Sequence, residues 1–177
     1  MIEKNNTKID GVFIFKPKIF EDERGLFLET YNSEKYNKFL QNINFVQDNL
    51  SFSSKNVVRG LHIQKNFPQG KLVRVVHGEV FDVILDLRKN SKTFGKWESF
   101  IINNIKMEQI WIPPGIAHGF QVLSDTAIFE YKCTEYYKPE DEQTILWSDE
   151  DLNIKWPINK PLVSDKDNAG IFFKDFK

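Results

Sequence analysis

Short segments with apolar residues at every second position, cut apart by glycine, proline, asparagine or aspartate, constrain this chain more than any other feature. The stretch from Lys71 to Arg88 shows the pattern best: Phe81, Val83, Leu85 and Leu87 alternate with Val80, Asp82, Ile84 and Asp86. That is the period of two of a strand, not the 3.6 of a helix. His77-Gly78 divides the stretch into two strands joined by a turn. Residues 12–15, 25–30, 57–63, 97–102, 109–112, 119–123 and 128–134 read as further short strands. One early helix is expected, with Ser33 as its cap and Tyr36, Phe39 and Leu40 at i, i+3 and i+4. After Lys138 the pattern dissolves. Pro139, Pro157 and Pro161 interrupt it, and Trp147 and Trp156 are expected to anchor this segment back onto the strands. Closely spaced strands with few helices imply an all-β sandwich or barrel.

Size and charge narrow the class. A chain of 177 residues without linker, repeat or low-complexity tract is expected to form one domain, residues 1–177. It can bury on the order of 70% of its unfolded surface without disulfides or structural metal. The net charge of −1 gives no basic excess for nucleic acid or an anionic membrane. No apolar run approaches the ~18 residues of a membrane span, and Met1-Ile2-Glu3-Lys4-Asn5-Asn6 lacks the apolar stretch of a secretory signal. The one cysteine, Cys133, cannot form an internal disulfide and fits a reducing cytoplasm.

Chemistry has few carriers here. The chain holds three histidines, of which His77, in the apparent turn, reads as structural. His118 stands in Pro113-Pro114-Gly115-Ile116-Ala117-His118-Gly119-Phe120, which resembles the second motif of cupin jelly rolls. Metal-binding cupins pair that histidine with an earlier His-x-His and a Glu. Here the earlier motif is His62-Ile63-Gln64, and an amide is a poor ligand for Zn, Fe or Ni beside an imidazole. The resemblance therefore implies a metal-free acid–base site that keeps two imidazoles.

Further strings make the resemblance specific. Asp22-Glu23-Arg24-Gly25-Leu26-Phe27-Leu28-Glu29, Val46-Gln47-Asp48-Asn49, Arg59-Gly60-Leu61-His62, Gln69-Gly70-Lys71-Leu72-Val73-Arg74-Val75 and Asp86-Leu87-Arg88 come first. Thr93-Phe94-Gly95-Lys96-Trp97, the proline-rich string above, Tyr131-Lys132-Cys133-Thr134-Glu135-Tyr136-Tyr137 and Ser164-Asp165-Lys166-Asp167 follow. In this order, from about Gly11 to Asp167, the chain is similar to the dTDP-4-dehydrorhamnose 3,5-epimerases. The resemblance implies a cupin-like jelly-roll β-barrel with a short N-terminal helix and an irregular or short helical C-terminal segment. It implies no metal and no cofactor, a dTDP-sugar substrate, and a homodimer whose N-terminal strands join the partner's sheet, with Glu29 or Tyr137 reaching across.

The same likeness assigns roles. In a 4-keto-6-deoxy sugar nucleotide the C3 and C5 hydrogens both lie α to the ketone. Inverting either centre takes a base on one face, an acid on the other and a polar cradle for the enolate oxygen. His62 matches the base, Asp167 the carboxylate that orients it, Tyr131 the acid, and Lys71 and His118 the groups near the ketone oxygen. Arg24 and Arg59 match phosphate-binding positions, and the planar guanidinium fork suits phosphate oxygens. Glu29, Gln47, Asn49, Glu142 and Lys166 match further substrate positions, and Tyr137 the aromatic that stacks on thymine. Val58, Ile63 and the short loop Lys65-Asn66-Phe67-Pro68 depart from the family pattern and border the sugar pocket. An epimerase acting at C3 alone or on another nucleotide sugar, GDP-linked ones included, uses the same residues. A non-catalytic sugar-nucleotide-binding cupin, a 3,4-ketoisomerase and a metal-dependent dioxygenase are the remaining alternatives.

Overall fold

The computed structural model describes residues 2–40 and 42–176; Met1 of the N-terminal stretch read above, Gln41 and Lys177 lie outside it. The strands are β1 (Glu3–Asn6), β2 (Phe13–Lys16), β3 (Ile19–Asp22), β4 (Gly25–Leu28), β5 (Gln47–Ser54), β6 (Val57–Gln64) and β7 (Lys71–His77). They continue with β8 (Glu79–Asp86), β9 (Trp97–Asn103), β10 (Gln109–Ile112), β11 (Ile116–Val122), β12 (Thr126–Cys133), β13 (Glu142–Thr144) and β14 (Leu162–Val163). Helix α1 (Ser33–Leu40) lies between β4 and β5, and a single turn, α2 (Asp165–Asn168), follows β14. One sheet runs β1-β2-β10-β7-β12-β5; the other runs β13-β6-β11-β8-β9, with β14 beside β6. The β3–β4 hairpin pairs with neither. This is an all-β barrel, as the short strands call for, in the jelly-roll form that the family likeness implies.

Three apolar clusters hold the layers together. Val73, Val75 and Phe129 of the first sheet meet Val80, Ile84, Phe120 and Val122 of the second inside the barrel. On the outer face of the second sheet, Leu61, Val83 and Leu85 pack under Ile145, Leu152 and Ile154 of the C-terminal segment, with Trp156 beside them. The alternating Phe81-Val83-Leu85 row is thus covered by the irregular tail. Asp82, between them in sequence, faces the opposite way, into the barrel. Trp156 behaves as the anchor expected of it: its ring meets Phe81 edge-on at 5.7 Å, and its indole N–H donates to the Trp147 carbonyl at 2.8 Å.

Helix α1 seals the outer face of the first sheet, where Tyr36 and Leu40 pack on Phe15, Leu72 and Trp111. Each such fully buried side chain contributes about 1.5–3 kcal/mol. Asn32, rather than Ser33, caps this helix: its Oδ1 accepts the Lys35 backbone N–H at 3.2 Å. The helix therefore starts one residue earlier in its capping than the Ser33 spacing predicts. Among the described residues no helix is long and apolar enough to cross a membrane.

Candidate active site

Strand β5 reverses the usual pattern. Gln47, Asn49, Ser51 and Ser53 turn toward the barrel interior, while Leu50 and Phe52 are 65% and 63% exposed. A polar inward face on a barrel strand means that the interior there is not core but cavity. The cavity measures about 310 Å³ and is walled by β5, β7 and β12 on one side and by β6 and β11 on the other.

A local irregularity aims β6 into it. Arg59 and His62 are three residues apart, out of phase for a strand, yet both line the cavity. Phe120 pairs with Arg59 and His118 pairs with His62, so three steps on β6 oppose two on β11. Gly60 takes up the extra residue at φ +108°, where a Cβ would sit 2.6 Å from both the Gly119 Cα and the His118 carbonyl oxygen. Only glycine fits such an approach. The two imidazoles are thereby brought onto neighbouring strands of one wall.

Each imidazole has its own carboxylate. His62 Nε2 lies 2.6 Å from Asp167 Oδ1, and the second oxygen of Asp167 accepts the Gly60 N–H at 3.2 Å. Burial pushes the Asp167 carboxyl up, but the hydrogen bonds from His62, Gly60 and Ser164 outweigh it and leave it below the ordinary range. An ionised Asp167 accepts, so Nε2 carries the imidazole proton and Nδ1 keeps a lone pair free. Asp167 is held by α2, whose cap, the Ser164 hydroxyl oxygen, receives the Asp167 N–H at 3.2 Å. His118 Nε2 lies 2.7 Å from Asp82 Oδ2, and both side chains are almost wholly buried.

Tyr131 and Phe129 project into the cavity from β12, and Phe129 stacks on Phe120 with ring centroids 4.3 Å apart. Burial raises the Tyr131 phenol to about 12, so it stays protonated at neutral pH. The same burial pulls the Lys71 ammonium below the usual lysine range, and Cys133 and Asp82 draw it part of the way back. Arg59, on the rim, donates from Nε to the Ser53 hydroxyl at 3.0 Å. Tyr137 is also at the rim, with its N–H held by Gln47 Oε1 at 2.8 Å and its hydroxyl donating to Glu142 Oε2 at 3.1 Å.

Of the residues marked in the sequence, His62, Tyr131, Lys71, His118, Gln47, Asn49, Arg59, Tyr137 and Glu142 line this one cavity. Asp167 stands directly behind His62, and Lys166 reaches the rim through an ion pair with Glu142. Two do not come to it within a single chain. Arg24, its side chain 85% exposed, pairs with Asp22 on the β3–β4 hairpin, and Glu29 pairs with Lys35 at 2.7 Å. Ser51, Gln69 and Asp82 belong to the site without having been singled out. A lone carboxylate between Phe81 and Val83 was the available signal for Asp82, since a buried charge needs a partner. Gln64, in the place of a cupin's second imidazole, spends its amide elsewhere. It donates to the carbonyls of Phe67 and Tyr136 at 2.7 and 3.1 Å and accepts the Lys138 N–H at 2.7 Å. Gln64 therefore staples together the two loops beside Tyr137.

An imidazole with one free nitrogen, a protonated phenol and a partly desolvated ammonium in one pocket can move protons at carbon beside a carbonyl. Comparison with known proteins agrees in kind. A family model described as dTDP-4-dehydrorhamnose 3,5-epimerase matches residues 6–175. The dTDP-4-dehydrorhamnose 3,5-epimerase of Shigella flexneri is 52% identical over 171 residues, covering 96% of this chain and 94% of its own. The crystal structure of the Legionella pneumophila dTDP-6-deoxy-D-glucose-3,5-epimerase in complex with dTDP-4-keto-L-rhamnose superposes with a TM-score of 0.97 at 46% identity, over 100% of this chain and 95% of that one. The Bacillus anthracis dTDP-4-dehydrorhamnose 3,5-epimerase, solved with TDP and PPi bound, gives 0.94 at 38% identity over 97% and 99%. With the family model spanning nearly the whole chain, and with relatives this close in sequence and fold, the chain belongs to the dTDP-4-dehydrorhamnose 3,5-epimerase family.

Proposed function

We propose that this protein is an isomerase that converts dTDP-4-dehydro-6-deoxy-D-glucose to dTDP-4-dehydro-L-rhamnose by inverting C3 and C5. His62 Nδ1 takes the α-hydrogen as a proton, and the electron pair stays with the enolate. Asp167 holds the ring in the reactive tautomer and stabilises the imidazolium that forms. Lys71 and His118 face the enolate oxygen, where charge develops. Tyr131 returns a proton from the opposite face. Arg59 and Arg24 bind the diphosphate, Tyr137 stacks on the thymine, and Gln47, Asn49, Glu29, Glu142 and Lys166 complete the contacts. The observation that carries this reading is that His62, backed by Asp167 at 2.6 Å, and a protonated Tyr131 line the same cavity.

Arg24 and Glu29 serve the site if the protein is a homodimer. The β3–β4 hairpin exposes Phe20, Leu26 and Phe27, and β5 is an edge strand exposing Leu50 and Phe52. Two unprotected apolar surfaces, one of them beside a free sheet edge, suit pairing between copies. The hairpin of one copy then carries Arg24 and Glu29 to the other's cavity. A buried lone cysteine and a sugar-nucleotide substrate fit the cytoplasm. Incubation with the 4-keto-6-deoxy nucleotide sugar in deuterated water tests the reaction: deuterium at C3 and C5 with inversion supports it. Binding without exchange leaves a mere sugar-nucleotide-binding protein.

A further inference from the structure

Inverting two carbons of one bound sugar with a single imidazole and a single phenol makes a demand that the His62–Asp167 pair alone does not meet. The first C–H bond breaks, its electron pair enters the enolate, and its proton goes to His62 Nδ1. Tyr131 then protonates the opposite face of that carbon and becomes a phenolate. His62 is now an imidazolium, and it cannot act as a base at the second carbon until it is unloaded. Asp167 is at the wrong nitrogen for this, since it faces Nε2.

Glu142 is at the other one. Its Oε1 lies 3.9 Å from His62 Nδ1, and its side chain is only 10% exposed. The β13–β6 ladder fixes it there, because Thr144 pairs with His62 and Glu142 with Gln64. Its second oxygen accepts from the Tyr137 hydroxyl and from the Lys166 ammonium. The Lys166 side chain is 54% exposed, so this carboxylate stands next to solvent. An ammonium has no acceptor, so a proton on Glu142 leaves from the carboxyl to water directly and not through Lys166.

We propose that Glu142 unloads His62 between the two inversions, taking the proton from Nδ1 onto Oε1 and passing it to bulk water at the Lys166 edge. The separation exceeds a hydrogen bond, so transfer takes a shift of about 1 Å by either side chain or one bridging water. Imidazolium and carboxylate become imidazole and carboxylic acid, and the acid then gives its proton to water. Another proton from water reloads the Tyr131 phenolate, so the protein recovers its starting charge. Lys166 and Tyr137 favour the carboxylate, which makes Glu142 a transient carrier and not a trap. The inference rests on His62 being the base.

The test is single-turnover conversion of the dTDP-linked 4-keto-6-deoxy sugar in deuterated water, with each carbon followed by NMR and mass. Glu142→Gln keeps the shape but cannot accept the proton. It is expected to accumulate sugar inverted and labelled at one carbon, with the ratio of second to first inversion rates falling about tenfold or more. Glu142→Asp keeps an acceptor and regains part of that ratio. Equal slowing of both inversions in E142Q, or equal ratios in the Asp and Gln variants, overturns the proposal while leaving the base assignment intact. Exchange that persists in His62→Ala overturns the base assignment and this inference with it.

Discussion

Replacing Asp167 by Asn probes the proposed base, His62, through its partner. One carboxylate oxygen accepts from His62 Nε2 at 2.6 Å and the other from the Gly60 N–H at 3.2 Å, in a side chain that is 5% exposed. An amide has one acceptor and one donor for these two places. With its oxygen toward Gly60, its NH₂ faces Nε2 and forces the imidazole proton onto Nδ1, the atom proposed to receive the substrate proton. With its oxygen toward Nε2, two N–H groups confront each other at Gly60, and a buried donor left unpaired costs about 1–3 kcal/mol. The first arrangement is the cheaper, so the variant folds with the wrong tautomer. Melting should drop by about 2–4 °C for each kcal/mol lost. Turnover should fall by about 10²–10⁴-fold, the worth of a positioned general base, or about 2.7–5.4 kcal/mol of barrier. Affinity for the nucleotide should change by less than about threefold, roughly 0.6 kcal/mol, because Asp167 stands behind His62 and away from the cavity. The assay is deuterium exchange at C3 and C5 beside a dTDP titration and a thermal melt. A D167N protein that exchanges within threefold of the parent refutes the tautomer argument.

Tyr131→Phe should depress net inversion more than exchange, since His62, as the proposed base, would still remove a proton and return one to the same face; equal losses would count against Tyr131 as the opposite-face donor. A second prediction concerns acid. Asp86 is fully buried; burial alone would raise its carboxyl, but donors from Arg88, Ser91 and Thr93 hold it well below the ordinary range. A depressed carboxyl lends stability that is fully present above its unfolded value of about 3.9 and is lost as pH falls below it. Asp86→Asn should therefore cost about 2–4 kcal/mol at pH 7, with the gap to the parent narrowing between about pH 4.5 and 2. Denaturant melts at pH 7 and 2.5 check this, and a gap of constant size contradicts it.

Most strands were legible in the sequence, among them β6, β7, β11 and β12, which wall the cavity; β5, which also walls it, was not. β8 announced itself by alternation, and its outward row found the C-terminal segment as a cover. β5 did not, because a strand that lines a cavity puts its polar residues in and, at an exposed edge, its apolar ones out. Gln47 and Asn49 came only through the family likeness. The same holds for Arg59 and His62: a spacing of three is out of phase with any strand, and only the close approach of Gly60 to Gly119 brings both to one cavity. Asp167 reads as a solvated charge among Asp165 and Lys166, yet one capped turn buries it. Arg24 carries no sign in sequence that it sits apart from the cavity in the single chain, and for Glu29 the one sign is the reach across a dimer that the family likeness implies. Gln64 looked like a missing ligand and is instead saturated by three backbone groups, an assignment that spacing alone does not reveal.

In the proposed reaction one ring nitrogen on β6 strips hydrogen from carbons flanking a ketone, and a phenol across the pocket replaces it. The most direct measurement compares the parent and His62→Ala in heavy water with the dTDP-linked 4-keto-6-deoxyglucose. The parent should gain two deuterons, at C3 and C5, and yield the inverted sugar, while the alanine variant should bind dTDP yet gain none at either carbon. Label entering the variant at the parental rate, or a parent that binds the nucleotide sugar and leaves both hydrogens in place, contradicts the account.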